Sequence, residues 1–358
     1  MSVKSVNSQF PKVTICVPVR NGASTIGRTL DSLLNQDYPN YEVIVSDNCS
    51  DDDTAKIVSQ YASRDVKYFF NPVLEKVGAE GNWNYILALA EGPFIALYHA
   101  DDIYTPTMVR RQVEFLETNP DVSAAFTMMQ MIDEKDNPIR MGSLCLPEEL
   151  RGQNRFEFPE YFNAVLKYCT FTPVPTMMTR RKVLDAVGYF CWQRFASAAD
   201  VDLYLRMASH CGPIGVIDEP LHYYRISSLQ GTAVINKGRT ELPDFYRVME
   251  AYLSDPEKRK VVQPPSFAFY EMYRAADQVI CAMNLLGKGN IAEARKCLRE
   301  SLSWCHFITG FRRPRSLARL LAGLGLLVSI NLGLGTFTGR QVSRVYAYRN
   351  AWRRKPLK

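Results

Sequence analysis

Within the first hundred residues, short apolar runs alternate with helical patterns, and each run ends in a polar cluster. Val13 to Val19 (VTICVPV) is apolar throughout and stops at Arg20-Asn21-Gly22; Ile26, Leu30, Leu33 and Leu34 then recur at helical spacings of three and four. Tyr41 to Asp47 (YEVIVSD) repeats the pattern and ends in NCSDDDT, before a helix carrying Ile57, Val58 and Tyr61. VKYFFNP gives a third strand, NWNYILALA a helix, and PFIALYHADD (Pro93 to Asp102) a fourth strand that runs into acid. Apolar strands separated by helices demand a parallel sheet covered by those helices, an α/β fold whose ligands bind at the carboxyl ends of the strands.

Farther on, a helix is expected near Met108 to Glu117, a strand at VSAAFTMMQMI and a helix around Val201 to His210. Past Thr232 the chain turns helical, and YEMYRAADQVICAMNLLGKGNIAEARKCLRESLSW reads as a helical hairpin turned at Gly287-Lys288-Gly289. At 358 residues and 47% hydrophobic, the chain is long enough to bury a substantial core as one large domain or two moderate ones. Its formal charge of +6 is not spread evenly. Phe311 to Lys358 holds 11 of the 43 Lys and Arg and no acid, leaving 32 basic against 37 acidic residues before it, a net −5. That distribution, with no recognition module, argues against nucleic acid as a partner. The opening MSVKSVNSQFPKVT lacks the apolar stretch of a signal peptide, and none of the nine Cys forms a CxxC pair, so a cytoplasmic protein with reduced thiols is expected.

Three polar clusters stand at strand ends: Pro18 to Gly22, Asp47 to Asp52, and His99-Ala100-Asp101-Asp102. Carboxylates beside an apolar strand repel one another unless a cation compensates them, and oxygen ligands of this kind suit Mg²⁺ or Mn²⁺, which in turn hold phosphate oxygens. Asp47 alternatively accepts hydrogen bonds from a base or ribose. Each cluster is also compatible with plain turn or helix-capping roles, Ser50 to Asp53 above all. No GxxxxGK[ST] loop or GxSxG elbow is present, the GxGxxxG string at Gly333 to Gly339 follows no βαβ strand, and the four His lack paired zinc spacing. His210, His222 and His306 read as packing residues.

Taken together and in order, VTICVPVRNGASTIGRTLDSLLNQDYPNYEVIVSDNCSDDDT, then Asn71, Gly78, Asn84, Ala90 and Gly92, then PFIALYHADDIYTP resemble the opening of family 2 glycosyltransferases with their nucleotide-sugar-binding GT-A fold. A weaker likeness returns at VGYFCWQRFASAADVDLYLRMA and PLHYYRISS. The resemblance implies a GT-A domain over 1–235, with a nucleotide-binding half to about 106 and an acceptor half after it, then a helical extension over 236–310 and a basic, apolar tail over 311–358. It implies that Pro18, Arg20 and Asn21 line the nucleotide pocket, that Asp47 contacts the base, and that Asn84, Asp102 and Arg225 serve the nucleotide-sugar. Asp101 takes the place of the last acid of the DXD motif and would bind Mg²⁺ or Mn²⁺ with His99. Asp200 takes the place of the catalytic base, with a helix-capping role as its plain alternative. Three positions depart from the family's pattern: His99 replaces the first acid of DXD, Ala199 the acid before Asp200, and Ser227 a metal-binding His. These departures keep open a catalytically silent binding or scaffold protein beside the enzyme.

The tail carries an apolar stretch, Leu320 to Phe337, close to the roughly 20 residues that cross a bilayer but interrupted by Asn331. A spanning helix, a helix or hairpin lying in the interface and a helix buried in the protein all remain open. Dense Arg with Tyr346, Tyr348 and Trp352 suits an anionic membrane surface. The expected partners are therefore a nucleotide-sugar donor, a saccharide or lipid-linked acceptor, and the cytoplasmic face of a membrane.

Overall fold

The computed structural model describes residues 10–72, 78–139, 146–226 and 238–341. Ser227 and the aromatic and basic residues from 342 onward lie outside the described residues. The chain divides into two compact units, Met1–Ser227 and Ser228–Lys358.

In the first unit, nine strands of the described residues form one sheet. They are β1 (Val13–Val19), β2 (Tyr41–Asp47), β3 (Val66–Phe70), β4 (Phe94–Leu97), β5 (Ile103–Tyr104), β6 (Ala124–Ile132), β7 (Arg155–Phe156), β8 (Met177–Arg180) and β9 (Ile214–Arg225). Their order is 3-2-1-4-8-6-9-5, with β7 also pairing β9. Strands β3, β2, β1 and β4 are parallel, whereas β8 is antiparallel to both β4 and β6. Helices α1 (Ile26–Leu33), α2 (Thr54–Ser59), α3 (Gly78–Leu89), α4 (Met108–Thr118), α5 (Phe158–Tyr168), α6 (Arg181–Val187), α7 (Trp192–Phe195) and α8 (Ala199–His210) complete the unit.

Every residue of β1 is buried, as expected of a central strand covered on both faces. Helix α1 buries Ile26, Thr29, Leu30 and Leu33, the stripe that its spacing announced. From β1 the chain steps to β2 and β3 on one side and returns to β4 on the other. The strand order therefore reverses at β1 and β4, and the crevice outside their carboxyl ends is where open α/β sheets bind ligands.

The fourth strand is shorter than its sequence suggested. It pairs only through Leu97; Tyr98 donates one further bond to the Cys16 carbonyl, and the Tyr104 hydroxyl takes up the His99 amide at 2.6 Å. Asp101 and Asp102 thus lie in the turn between β4 and β5 rather than on a strand. Helix α8 begins two residues before the expected start, so Asp200 sits inside its first turn, and the position before the helix belongs to Ala198.

In the second unit, α9 (Asp244–Leu253) and α10 (Pro256–Lys260) precede a hairpin of α11 (Pro264–Gly287) and α12 (Ile291–Ser301), then α13 (Trp304–Gly310), α14 (Pro314–Asn331) and a helix over 335–341. The hairpin turns at Gly289, whose φ of +84° is the left-handed region glycine tolerates. Leu320 and Ile330 of α14 bury themselves against α11 and α12, and a Cβ at Gly323 would stand 2.6 Å from Val279. Among the described residues no helix is long and apolar enough to cross a membrane. The apolar stretch from Leu320 instead packs one face within this unit and leaves the other in solvent.

Candidate active site at the carboxyl ends of the strands

The loops after β1 and β2 hold each other. Val19 pairs in register with Asp47, and beyond them Asn21 adopts φ 51°, a left-handed conformation that Asn accepts more readily than most residues. Its amide donates to the Ser50 hydroxyl at 2.8 Å, the Gly22 amide to Thr54 at 2.9 Å and the Ala23 amide to Asp52 at 3.0 Å. The side-chain carbonyl of Asn21 accepts the Asp51 amide at 3.0 Å. The acidic run after β2, compatible in sequence with mere capping, thereby fixes the loop of Pro18, Arg20 and Asn21. Pro18 is buried in the sheet, while Arg20 is exposed.

Asp47 is buried at the end of β2. One carboxylate oxygen accepts the Ser50 amide at 2.8 Å, and the other accepts the Tyr68 hydroxyl at 2.8 Å. Burial first, and then this bond to a carboxylate, push the Tyr68 phenol well above its ordinary range, so it remains a donor. Tyr68 was not singled out in the sequence, because a strand tyrosine carries no motif.

In the turn after β4, His99, Asp101 and Asp102 each offer a ligand atom, and these atoms lie within 4.8 Å of one another. Asp102 is fully buried and firmly held: one oxygen accepts the Arg225 amide at 2.9 Å, and the other lies 2.8 Å from His222 Nε2. The Arg225 side chain donates to the carbonyls of Asp101 at 2.8 Å and Asp133 at 3.0 Å and pairs with Asp136. It braces the turn from beneath. His222, read from the sequence as core packing, is indeed buried and stacked on Tyr104, yet its ring nitrogen also faces the site's buried acid.

Burial pulls the His99 imidazole down to about 4, with Asp102 opposing and His222 adding to the effect. The ring is therefore neutral at neutral pH and able to donate a lone pair to a metal. Its Nε2 is buried without a hydrogen-bond partner among the described residues, which costs free energy unless something binds there. Burial, reinforced by the charge of Asp102, pushes Asp101 up to about 6 against the pull of Arg225. A buried carboxyl, an adjoining acid and an unpartnered neutral imidazole make a donor set that fits a divalent cation of the Mg²⁺ or Mn²⁺ class.

Three consecutive residues of α3 connect this turn to its surroundings. Asn82 bonds Ser46 and Asn71. Trp83 stacks on the His99 ring at 5.5 Å and meets Phe190 edge-on at 5.2 Å. Asn84 uses both ends of its amide on the Phe190 backbone, at 2.9 and 3.0 Å. Phe190 lies in the segment that leads into α7 and α8, so α3 ties the β4 turn to the region of Asp200. Arg206, anchored on the buried Asp202 at 2.8 Å, reaches the Tyr189 carbonyl at 2.7 Å and secures the same segment from α8.

Asp200 is half-buried in the first turn of α8. Burial pushes its carboxyl up to about 6; neighbouring backbone amides oppose this, and the charge of Glu80 on α3 adds to it. The fully buried Tyr161 and Tyr204 both feel its charge, and the Tyr204 hydroxyl has no hydrogen-bond partner among the described residues.

Residues 14–188 match the family described as glycosyl transferase family 2. An uncharacterized glycosyltransferase of Rickettsia typhi is 31% identical over 72% of this chain and 76% of its own length. The Escherichia coli UDP-Glc:alpha-D-GlcNAc-diphosphoundecaprenol beta-1,3-glucosyltransferase WfaP is 28% identical over 56% of this chain and 79% of its own. The match to an uncharacterized glycosyltransferase of Methanocaldococcus jannaschii, 25% identical over 55% of this chain, spans only 64% of that relative's length. Among solved structures, S. aureus TarS (1–349) in complex with UDP-GlcNAc superposes with a TM-score of 0.58 at 19% identity, over 90% of this chain and 92% of that one. The mannosyltransferase PcManGT of Pyrobaculum calidifontis, in complex with GDP-Man and Mn²⁺, superposes with a TM-score of 0.52 at 18% identity, over 97% and 89%. The fold is GT-A, as the sequence led one to expect.

Proposed function

The chain belongs to glycosyltransferase family 2, and on that premise we propose that it moves a sugar from a nucleoside-diphosphate sugar, UDP-linked, to an acceptor hydroxyl with inversion at the anomeric carbon. The observation that carries this reading is the pairing of a cation-type donor set, His99, Asp101 and Asp102, at the strand-order reversal with a basic, half-buried Asp200 on α8. The complex of TarS with UDP-GlcNAc and the name of WfaP support a UDP donor and a lipid-linked saccharide acceptor; the proposal places this transfer in surface-polysaccharide assembly at the cytoplasmic face of a membrane.

In this mechanism Asp47, held by Ser50 and Tyr68, presents its carboxylate to an N–H of the base, while Pro18, Arg20 and Asn21 form the adjoining wall. His99 and Asp101 would hold a divalent cation, Mg²⁺ or Mn²⁺, which would supply positive charge against the departing diphosphate. Asp102 and Arg225 keep the turn in place, and Asn84 does the same for the Phe190 segment, so these three serve the donor through the groups they brace. Asp200 takes the proton of the acceptor hydroxyl as its oxygen attacks the anomeric carbon. With its carboxyl near 6 it is largely ionised at pH 7 yet more basic than an ordinary Asp, a combination suited to general-base work. The single displacement breaks the bond from sugar to diphosphate as the new glycosidic bond forms.

A silent binding protein is not favoured, since neutral His99 remains a competent ligand and Asp200 keeps its raised basicity without an acid at 199. The test is a screen of nucleotide-sugar donors with and without Mn²⁺, reading nucleotide release against a lipid-pyrophosphate saccharide. Cation-dependent turnover that disappears in Asp101→Asn is expected. Turnover unchanged by that substitution would remove the metal role.

A further inference from the structure

From Leu320 to Ile330 helix α14 is apolar at every position but Ser329, a composition that belongs to a covered helix, yet only one face is covered. Opposite Leu320, Gly323 and Ile330, the side chains of Leu321, Leu324, Val328 and Leu332 stand in solvent, Leu332 with 70% of its surface exposed. Immediately before it, Trp304 and Phe311 are 78% and 74% exposed on one side of α13. Most of the large apolar side chains that are exposed among the described residues fall in this stretch. Arg312, Arg315 and Arg340 are exposed at its ends, and no Asp or Glu occurs from residue 301 to the end of the chain.

We propose that this face of α13 and α14 is a docking platform for an anionic lipid bilayer, on which the folded helices lie in the interface without spanning. The proposal rests on the reading that the protein works at a membrane, and it identifies the part that binds there. Charge selects the occupant. A second copy of the chain would bring the same arginines face to face, whereas anionic headgroups meet the Arg-only rim while the acyl boundary receives the apolar stripe. Exposed Trp304 and Phe311, then Arg312 and Arg315, and an 18-residue helix with Leu and Val outward, have the chemistry of an in-plane interfacial helix. The six further Lys and Arg between residues 342 and 358 add charge of the same sign.

The test is flotation of the full chain with phosphatidylcholine vesicles, with and without phosphatidylglycerol, alongside a soluble-acceptor transfer assay. Co-flotation that requires phosphatidylglycerol is expected. The combined variant Leu321→Ser, Leu324→Ser, Val328→Ser changes only exposed positions, and it is expected to keep its melting temperature and lose roughly a hundredfold in vesicle partition. If that variant floats like the parent while removal of residues 342–358 releases the protein, the platform is wrong and the basic tail alone binds. If the parent ignores every vesicle, the membrane reading falls as well, while transfer to a soluble acceptor tests the enzymatic reading separately. Concentration-dependent dimers that the same triple variant abolishes would assign the face to a second copy and overturn the proposal.

Discussion

Replacing Asp200 by Asn should destroy activity and stabilise the protein. In the folded chain, burial raises this carboxyl from an ordinary 3.8 to about 6. Because the folded state holds the proton more tightly than the unfolded chain does, ionising Asp200 opposes folding. The penalty is absent below pH 3.8, grows as pH rises through about 6, and is complete above it. That rise corresponds to about 3 kcal/mol. Partial exposure reduces this, and the favourable place of an acid in the first turn of a helix offsets up to ~1 kcal/mol. A net gain of about 1 to 2 kcal/mol at pH 7.5 is left for Asp200→Asn, which for a unit of this size raises the melting temperature by roughly 2 to 8 °C. Over the same substitution, loss of the general base should lower kcat by about 10² to 10⁴ with donor affinity unchanged. Parent melting temperatures should approach those of the variant as the pH is lowered toward 4. Asp101 also titrates near 6, but saturating Mn²⁺ should hold it ionised, so under those conditions the rise of kcat with pH belongs to Asp200. A variant that keeps activity within tenfold, or that melts lower than the parent at pH 7.5, would refute the assignment and its physical basis together.

Glu80→Gln removes the charge that helps raise Asp200, so the acid limb of the kcat profile should move to lower pH, measured at saturating Mn²⁺. Tyr68→Phe takes one of the two donors from Asp47; calorimetry should show weaker UDP binding by about 3- to 10-fold, with kcat at saturating donor nearly unchanged. His222→Ala leaves a void beside Tyr104 and strips Asp102 of its neighbour, so chemical denaturation should report a loss of about 1 to 3 kcal/mol and titration a weaker Mn²⁺ affinity. Gly22→Ala places a Cβ 2.5 Å from Val19 Cγ2, and the denaturation midpoint should fall by the equivalent of about 1 to 3 kcal/mol.

The parts of this protein that sequence reveals are those written in local pattern. The continuous apolar run of β1, the spacing of Ile26, Leu30 and Leu33, and the acids after β4 each announce an element or a strand end within a few residues. What stays hidden depends on where distant residues meet. His222 lies 120 positions beyond Asp102 and looks like a core aromatic until the β5 and β9 pairing brings its ring nitrogen to the carboxylate. The NWN of α3 reads as part of a helical stripe, yet its three side chains reach β2, the β4 turn and the Phe190 backbone, because successive helical residues point in different directions. The end of β4 is hidden because apolar Tyr98 and Ala100 continue the run, whereas the Tyr104 hydroxyl captures the His99 amide and turns the chain.

The same geometry explains how a histidine can stand where the family more often has an acid. Two carboxylates already crowd the turn, and the buried Asp102 is held not by solvent but by the Arg225 backbone amide, with the His222 ring 2.8 Å away. A third carboxylate at 99, under the indole of Trp83, would add a charge in surroundings that already push Asp101 up to about 6. A neutral imidazole supplies a donor atom without that repulsion, and stacking on Trp83 fixes its plane. The consequence is a site with less negative charge to attract the ion. His99→Asp should therefore tighten Mn²⁺ binding only if Asp101 remains ionised, and should raise the pH at which binding is half-complete. Titration of Mn²⁺ affinity against pH in the parent and the variant distinguishes the cases. An affinity that rises at every pH with no shift in its midpoint would mean that repulsion between the acids is not what histidine avoids.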